Sequence, residues 1–522
     1  MSTPPAPLML GVSGCRGIVG ASLTPTVVVE FAGSFASWLA ARSGGARPRA
    51  LLAADGRAGY HAVHAAARAG LLAAGCDVID AGICATPTAG VMVDHLAADA
   101  GVILTASHNP QNWNGMKFLL GAGGPALRAG LPTPSVPASS PQTTHLTQAV
   151  AAAPDAATAQ AIIAHYKSGG ARRLANWDAI GSATTTDVAS AVHIGLVLRS
   201  LDALRDGARP TVTDRIRAAH FTVVLDSVNG AGRHAGRVLL ERLGCIVIAL
   251  GDADTGIFWH PAEPTRDNLA QVSKQVATAG AAIGFCQDPD ADRLALLAAD
   301  GSYIGEEYTL ALATRAVLEL GRSDRPGSFG PVAGSESRPT LAANLSTSRM
   351  IDDIAAASGA RVVRTAVGEA NVVAAMKRHH APIGGEGNGG VIWPAVTYVR
   401  DSLGSMGLVL ALMALTGKSL QQLIAEIPPY AIEKRKLDIP SKGAARPACD
   451  AALRHFTTGP GHRGGARADT QDGVRIDLEL SDGPAWVHIR ASNTEPIMRL
   501  IAEARSSASA TALLDETAGA IG

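Results

Sequence analysis

The chain has 522 residues, which at roughly 150 per domain amounts to three or four domains. Lys plus Arg number 45 and Asp plus Glu 45, so the formal net charge is zero and the basic surplus expected of a nucleic-acid or anionic-membrane binder is absent. Hydrophobic residues make up 47% and aromatics only 4%, which suits a globular protein with sizeable cores and excludes an aromatic stacking platform for single strands.

Six cysteines (Cys15, Cys76, Cys84, Cys245, Cys286, Cys449) show no CxxC spacing, which argues against a zinc ribbon or a disulfide framework and for a reduced compartment. The amino-terminal segment lacks a basic region followed by a long apolar run. No stretch approaches the roughly 18 apolar residues of a membrane span, so the expected address is cytoplasmic.

The first unit is a strand at Arg49–Ala54 followed by a helix over 60–74. A strand at 76–81 ends in the turn 82–87, and a strand at 101–104 runs into Thr105-Ala106-Ser107-His108-Asn109-Pro110. Residues 121–158 shift to Pro, Ala, Ser, Thr and Gly and read as an inserted surface segment, while the alanine-rich stretch 149–164 reads as a soluble helix. Strands at 221–226 and 281–285 follow, the first with the loop 227–232 and the second with the loop 286–293. An apolar helix covers 408–415, the pattern changes at Pro428-Pro429, and alternating stretches at Val474–Leu480 and 485–490 precede a closing helix. Strands alternating with helices predict parallel α/β layers whose ligands sit beyond the strands' carboxyl ends; the last hundred residues predict a smaller α+β domain.

Four loops carry chemistry. Ser107, at a strand end beside His108 and in a loop fixed by Pro110, reads either as an exposed nucleophile or as an ordinary turn. Lys117 follows and can supply a cation or a proton-transfer group. Asp288, Asp290 and Asp292 alternate in one loop, where three carboxylates can converge on a hard divalent cation; without one they repel. In Gly384-Gly385-Glu386-Gly387-Asn388-Gly389-Gly390, Glu386 and Asn388 offer acceptor and donor groups suited to vicinal sugar hydroxyls. The stretch lacks both the P-loop ending and the Rossmann spacing. Arg490-Ala491-Ser492-Asn493-Thr494-Glu495-Pro496 combines a guanidinium fork with hydroxyls and an amide, a set suited to a phosphate monoester.

In order and spacing these four loops resemble those of the α-D-phosphohexomutases, the phosphoglucomutases, phosphomannomutases and phosphoglucosamine mutases. Supporting segments are Gly14-Cys15-Arg16-Gly17, Asp226 to Gly232, Glu263-Pro264 with Asn268-Leu269, and Thr365-Ala366-Val367-Gly368. The resemblance implies an α/β fold of four domains around a central cleft, three related α/β domains plus a smaller carboxyl-terminal α+β domain. Their expected bounds are 1–190, 191–303, 304–426 and 427–522.

It further implies a phosphoserine at Ser107, with Mg²⁺ held by Asp288, Asp290, Asp292 and a Ser107 phosphoryl oxygen. Arg16, Lys117 and Arg293 would spread the charge of an in-line transfer, and His108 or Lys117 would take the proton of the attacking hydroxyl. Glu386 and Asn388 would read the sugar, and Arg490, Ser492, Asn493 and Thr494 would hold the distal phosphate. The implied partners are small-molecule sugar phosphates, with a hexose 1,6-bisphosphate as intermediate and activator, and the implied state is a monomer or homodimer.

The version of the sugar loop found here is similar to that of archaeal-type phosphoglucosamine mutases, which implies glucosamine 6-phosphate to glucosamine 1-phosphate; mannose and glucose phosphates are the alternatives within the family. Two departures stand out: Ala53-Ala54 where Gly-Arg is common, and Asp401-Ser402 where Asp-Gly is. The rival readings are a phosphohydrolase, which would release inorganic phosphate steadily, and a non-catalytic sugar-phosphate binder, which would not need the full residue set.

Overall fold

The computed structural model describes residues 8–122, 149–169, 174–205, 207–321, 338–491 and 497–521. Its first three sheets share one plan. Arg49–Ala54 pairs in parallel with Asp77–Ile83 on one side and Ala100–Leu104 on the other, and Trp113–Leu120 adds antiparallel to the last. Thr222–Asp226 likewise pairs in parallel with Ile246–Leu250 and Ile283–Gln287, and Leu294–Ala298 closes antiparallel. Thr340–Asn344 pairs in parallel with Arg361–Thr365 and Gly384–Glu386, and Gly390–Ile392 closes antiparallel. Each sheet therefore runs second, first, third, fourth strand, so the three α/β domains repeat one topology. The first sheet is extended to seven strands by Met9–Gly11, Gly14–Ile18 and Ala183–Thr185.

This repeat places the chemistry. The loops carrying Ser107, the three aspartates and Asn388 are the same connection in three copies, the link from the third, parallel strand to the fourth, antiparallel one. The strands Arg49–Ala54, Ala100–Leu104 and Ile283–Gln287 are mostly apolar and buried, which leaves polar residues to gather where the strands end.

The helix Ser402–Thr416 is buried over its first twelve residues. Its amino end is capped by Asp401, which accepts from the Leu403 and Gly404 amides at 2.9 and 3.1 Å. It packs against the helices Glu307–Leu320, Ala189–Ala203 and Val212–Ala219, so one apolar core runs through the second and third domains. The carboxyl-terminal domain is a five-stranded antiparallel sheet, with the helices Ala445–Thr457 and Ser507–Ile521 sharing its core. Among the described residues no helix is long and apolar enough to cross a membrane, and none of the six cysteines is paired.

Two expectations from sequence need correction. The helix expected over 149–164 is Ala156–Lys167, because Pro154 interrupts the run and Asp155 caps it by accepting from the Thr158 amide at 2.7 Å. Residues 149–152 are instead extended: Ala152 exchanges backbone bonds with Leu120 at 2.8 and 3.2 Å, and Asp94 accepts from the amides of Val150 and Ala151. The carboxyl-terminal part of the expected surface insertion is thus built into the fold; the rest of it, 123–148, lies outside the described residues. The departure at Ala53-Ala54 falls inside the buried part of the strand Arg49–Ala54, as the sequence reading placed it.

Candidate active site

Ser107 follows the strand Ala100–Leu104 in the left-handed region, with φ +49°, a conformation that is strained for a residue with a Cβ and must be held by its surroundings. The Thr105 hydroxyl accepts from the Ser107 amide at 2.8 Å and donates to Asp55 at 2.7 Å. Fully buried Arg57 donates to the Ser107 carbonyl at 2.6 Å, to the Trp113 carbonyl at 2.8 Å and to Asp55 at 2.8 Å. This frame aims Ser107 Oγ across the domain boundary at Asp288 Oδ2, 3.1 Å away, with His108 Nδ1 at 3.3 Å.

Asp288, Asp290 and Asp292 are fully buried, and one oxygen of each lies within 4.8 Å of the others. Burial, then the charges of Asp290 and Asp292, push the Asp288 carboxyl well above the usual range; burial and Asp292 raise Asp290 as well. Asp292 is equally buried, yet Arg400, Lys117 and Arg293 hold it far below that range. One oxygen of each of two aspartates is occupied: Asp290 Oδ2 accepts from Thr86 Oγ1 at 2.7 Å, and Asp292 Oδ2 from Lys117 at 2.8 Å and Arg400 at 2.6 Å. Asp290 Oδ1 and Asp292 Oδ1 are buried with no hydrogen-bond partner. Bare, buried carboxylate oxygens beside a serine hydroxyl form an all-oxygen donor set that fits a hard divalent cation.

Lys117 Nζ is buried between Asp292 Oδ2 and Glu369 Oε2, the latter at 3.5 Å; despite burial, these two carboxylates raise its pKa. His108 is different. Burial, then Arg293 and Arg16, lower its imidazole to about 2, so the ring is neutral near pH 7, and its Nε2 faces Glu263 at 4.0 Å. Arg16 donates to Asn109 at 3.0 Å, and Arg293 Nε lies 3.9 Å from Asp292 Oδ1.

The expected Gly-rich sugar loop is shorter than it reads. Glu386 ends one strand and Gly390 begins the next, leaving 387–389 as the turn. Gly389 has φ +80°, and a Cβ there would lie 2.5 Å from the Leu294 carbonyl, so glycine lets the turn close on the strand that follows the aspartates. Glu386 is heavily engaged: Oε1 accepts from Asn344 at 2.8 Å and the Gly368 amide at 3.1 Å, and Oε2 from Arg400 at 2.7 Å. Asn388 Oδ1 has no partner. Arg490, near the end of the strand Gly483–Ala491, has Nη1 4.0 Å from Asp472 and a buried, unpartnered Nε. Ser492, Asn493 and Thr494 lie outside the described residues.

The structure also recruits residues that sequence reasoning did not select. Arg400 joins Asp292 to Glu386. Ser402, at the position of the second departure, donates to the Ala291 carbonyl at 2.7 Å and accepts from Gln287 at 2.8 Å. Ala291 sits at φ +55°, so this hydroxyl braces a left-handed residue between two of the aspartates. The only signal for Arg400 was its place immediately before the Asp401 cap.

Four successive family models match the chain: phosphoglucomutase/phosphomannomutase alpha/beta/alpha domain I over 7–131, domain II over 200–301, domain III over 308–430 and the C-terminal domain over 434–520. A phosphoglucomutase/phosphomannomutase of Thermococcus kodakarensis is 32% identical over 510 residues, 97% of each chain. A probable phosphoglucosamine mutase of Methanopyrus kandleri is 31% identical over 509 residues, 97% of this chain and 96% of the relative. The fold is shared with a phosphoglucomutase/phosphomannomutase family protein from Burkholderia thailandensis, with a TM-score of 0.70 at 22% identity over 98% of this chain and 97% of that one.

Proposed function

The chain belongs to the phosphoglucomutase/phosphomannomutase family and is an enzyme of that kind; on that premise we propose that it converts glucosamine 6-phosphate to glucosamine 1-phosphate through a phosphoserine at Ser107 and a bound 1,6-bisphosphate. The observation that carries the reading is Ser107 Oγ, 3.1 Å from Asp288 of a buried aspartate cluster in which Asp290 Oδ1 and Asp292 Oδ1 have no hydrogen-bond partner.

Asp288, Asp290 and Asp292, with a Ser107 phosphoryl oxygen, would hold Mg²⁺, which when bound supplies positive charge to the phosphoryl oxygens. A sugar hydroxyl attacks the phosphorus of phosphoserine in line, the new O–P bond forming as the bond to Ser107 Oγ breaks. His108 takes the hydroxyl proton. Its ring borders Ser107 at 3.3 Å, whereas the Lys117 ammonium is committed to Asp292 and Glu369. Burial and the neighbouring arginines keep the ring a weak base until a negative phosphoryl group beside it raises its pKa. Lys117 contributes fixed positive charge, as do Arg16 and Arg293. The bisphosphate then turns around, and its other phosphate returns to Ser107. Asn388 offers its free acceptor to a sugar hydroxyl, Arg490 binds the distal phosphate with Ser492, Asn493 and Thr494, and Glu386 has little acceptor capacity left beyond its present donors. The enzyme acts on small sugar phosphates in the cytoplasm.

The preference for glucosamine rests on the sugar-loop sequence, since the two relatives carry different substrate names. Parallel coupled assays of the Mg²⁺-loaded, bisphosphate-primed protein on glucosamine, mannose and glucose phosphates test it. A lead for glucosamine is expected. A lead for mannose or glucose overturns the substrate and keeps the mechanism, and steady release of inorganic phosphate overturns the mutase chemistry.

A further inference from the structure

Thr86 opens the helix Thr86–His95, yet its hydroxyl takes no part in capping it; Ala85 is the N-cap and makes no side-chain bond. The hydroxyl instead leaves its own domain and donates to Asp290 Oδ2 at 2.7 Å, while the Thr86 amide donates to the Asp290 carbonyl at 2.9 Å. Both residues are fully buried. The two oxygens of Asp290 are therefore unlike: Oδ2 is tied to Thr86, and Oδ1 is buried with no partner.

A carboxylate turns easily about its terminal torsion, so burial alone does not decide which oxygen faces the aspartate cluster. A donor on one oxygen does. Asp292 repeats the pattern, with Lys117 and Arg400 on Oδ2 and no hydrogen bond on Oδ1, which has Arg293 Nε at 3.9 Å. On Asp290 the donor is a single neutral hydroxyl, so the orientation of that ligand depends on one group from the first domain.

We propose that Thr86 is a positioning residue of the cation site: by holding Asp290 Oδ2 it directs Oδ1 at the ion bound by the Asp288–Asp290–Asp292 cluster. The inference rests on reading that cluster as the cation site. Groups that orient metal ligands from outside typically change affinity 10- to 100-fold when removed.

The test is direct Mn²⁺ binding to the full-length protein, followed by the electron paramagnetic resonance of the free ion, with Mg²⁺ competition and a melting curve for each variant. Thr86→Val keeps the shape and removes the donor; it is expected to weaken Mn²⁺ binding by about 10-fold or more. Thr86→Ser restores the hydroxyl and is expected to return affinity to within about threefold of wild type. Thr86→Ala, which also lacks the donor, serves if the valine variant does not fold. Wild-type affinity in the valine or alanine variant overturns the inference alone. So does a serine variant as weak as the valine one, because packing rather than the hydroxyl would then be at work. A wild-type protein that binds no Mn²⁺ overturns the functional reading, and this inference with it.

Discussion

Arg400 Nη2 lies 2.6 Å from Asp292 Oδ2, and the other arm of the same guanidinium lies 2.7 Å from Glu386 Oε2. One planar cation thus sets the distance between the aspartate loop and the sugar loop, a task that suits arginine because its donors form a rigid fork. Glu369 Oε2 approaches Nε at 3.6 Å, so three buried carboxylates share this charge. Replacing Arg400 with Met leaves Asp292 with Lys117 and Arg293, leaves Glu369 with Lys117, and takes from Glu386 the guanidinium on its Oε2. Removing one partner from a buried ion pair costs about 3–5 kcal/mol, and Arg400→Met is expected to fall in that range in urea unfolding. Arg400→Lys keeps a charge that reaches only one partner, so its loss should be smaller. Equal stability of wild type and the Met variant would show that the bridge does not hold the loops.

Magnesium should stabilise the fold as well as support turnover. Asp288 and Asp290 have carboxyl pKa values raised by burial and mutual repulsion, which a bound cation relieves. Ligand linkage gives about 2.7 kcal/mol at a free concentration a hundred times the dissociation constant. A melting series from excess chelator to saturating Mg²⁺ should rise accordingly in wild type and stay flat in Asp290→Asn. A flat wild-type series would remove the cation from this site.

Ser402 is the clearest departure from the family's residue pattern that acquires a structural purpose. Its hydroxyl bridges Gln287 and the Ala291 carbonyl, and Gln287 in turn accepts from Ser227 at 2.8 Å. Ser402→Ala strands the buried Gln287 amide and leaves the Ala291 carbonyl with only the Ser402 backbone amide at 3.3 Å, at a cost of about 1–3 kcal/mol. Hydrogen exchange over 288–293 should quicken with it. Unchanged exchange and an unchanged unfolding midpoint would mean that the loop keeps its shape without the hydroxyl.

His488 predicts a pH dependence away from the catalytic loops. Its Nδ1 faces the Ser346 hydroxyl at 2.9 Å and its Nε2 the Asp472 carbonyl at 2.7 Å, so the neutral ring donates from Nε2 and accepts at Nδ1. Burial lowers its pKa from 6.5 to about 4, against the opposing pull of the Asp472 carbonyl and carboxylate and with the help of Arg490 and Arg475. Between these values the unfolded chain binds the extra proton. This contribution is therefore complete above pH 6.5 and is lost as pH falls toward 4. Its upper size is on the order of 3 kcal/mol. Urea unfolding at a series of pH values should show a shallower decline for His488→Gln than for wild type; matching slopes would sink the assignment.

Ser107→Ala should abolish turnover and the phosphoserine signal in intact-mass analysis, while leaving Mn²⁺ binding to the aspartates measurable. Phosphorylation found at another residue, or turnover that survives, would displace Ser107 from the mechanism.

Much of this protein could be read in the linear chain because the relevant signals are short. A strand, the loop after it and a helix occupy a few tens of residues, and alternation of apolar and polar positions reports burial over that span. The Ser107, aspartate and Arg490 loops each fit within ten residues, and the family resemblance they carry implied four domains and phosphoryl transfer. The partners of those residues were not legible, because they lie far away in sequence: Thr86 and Asp290 are 204 positions apart, Lys117 and Asp292 are 175, and Arg400 and Asp292 are 108. No local pattern marks a threonine at a helix start or an arginine before a cap as belonging to a distant carboxylate. Burial decides such pairings. Once three domains close over the same strand ends, every charged group there must find a partner, and the donors that happen to face each oxygen determine which oxygen remains bare. Lys117 shows the difference most plainly, since its sequence context allowed a free base and its place between Asp292 and Glu369 makes it a fixed charge.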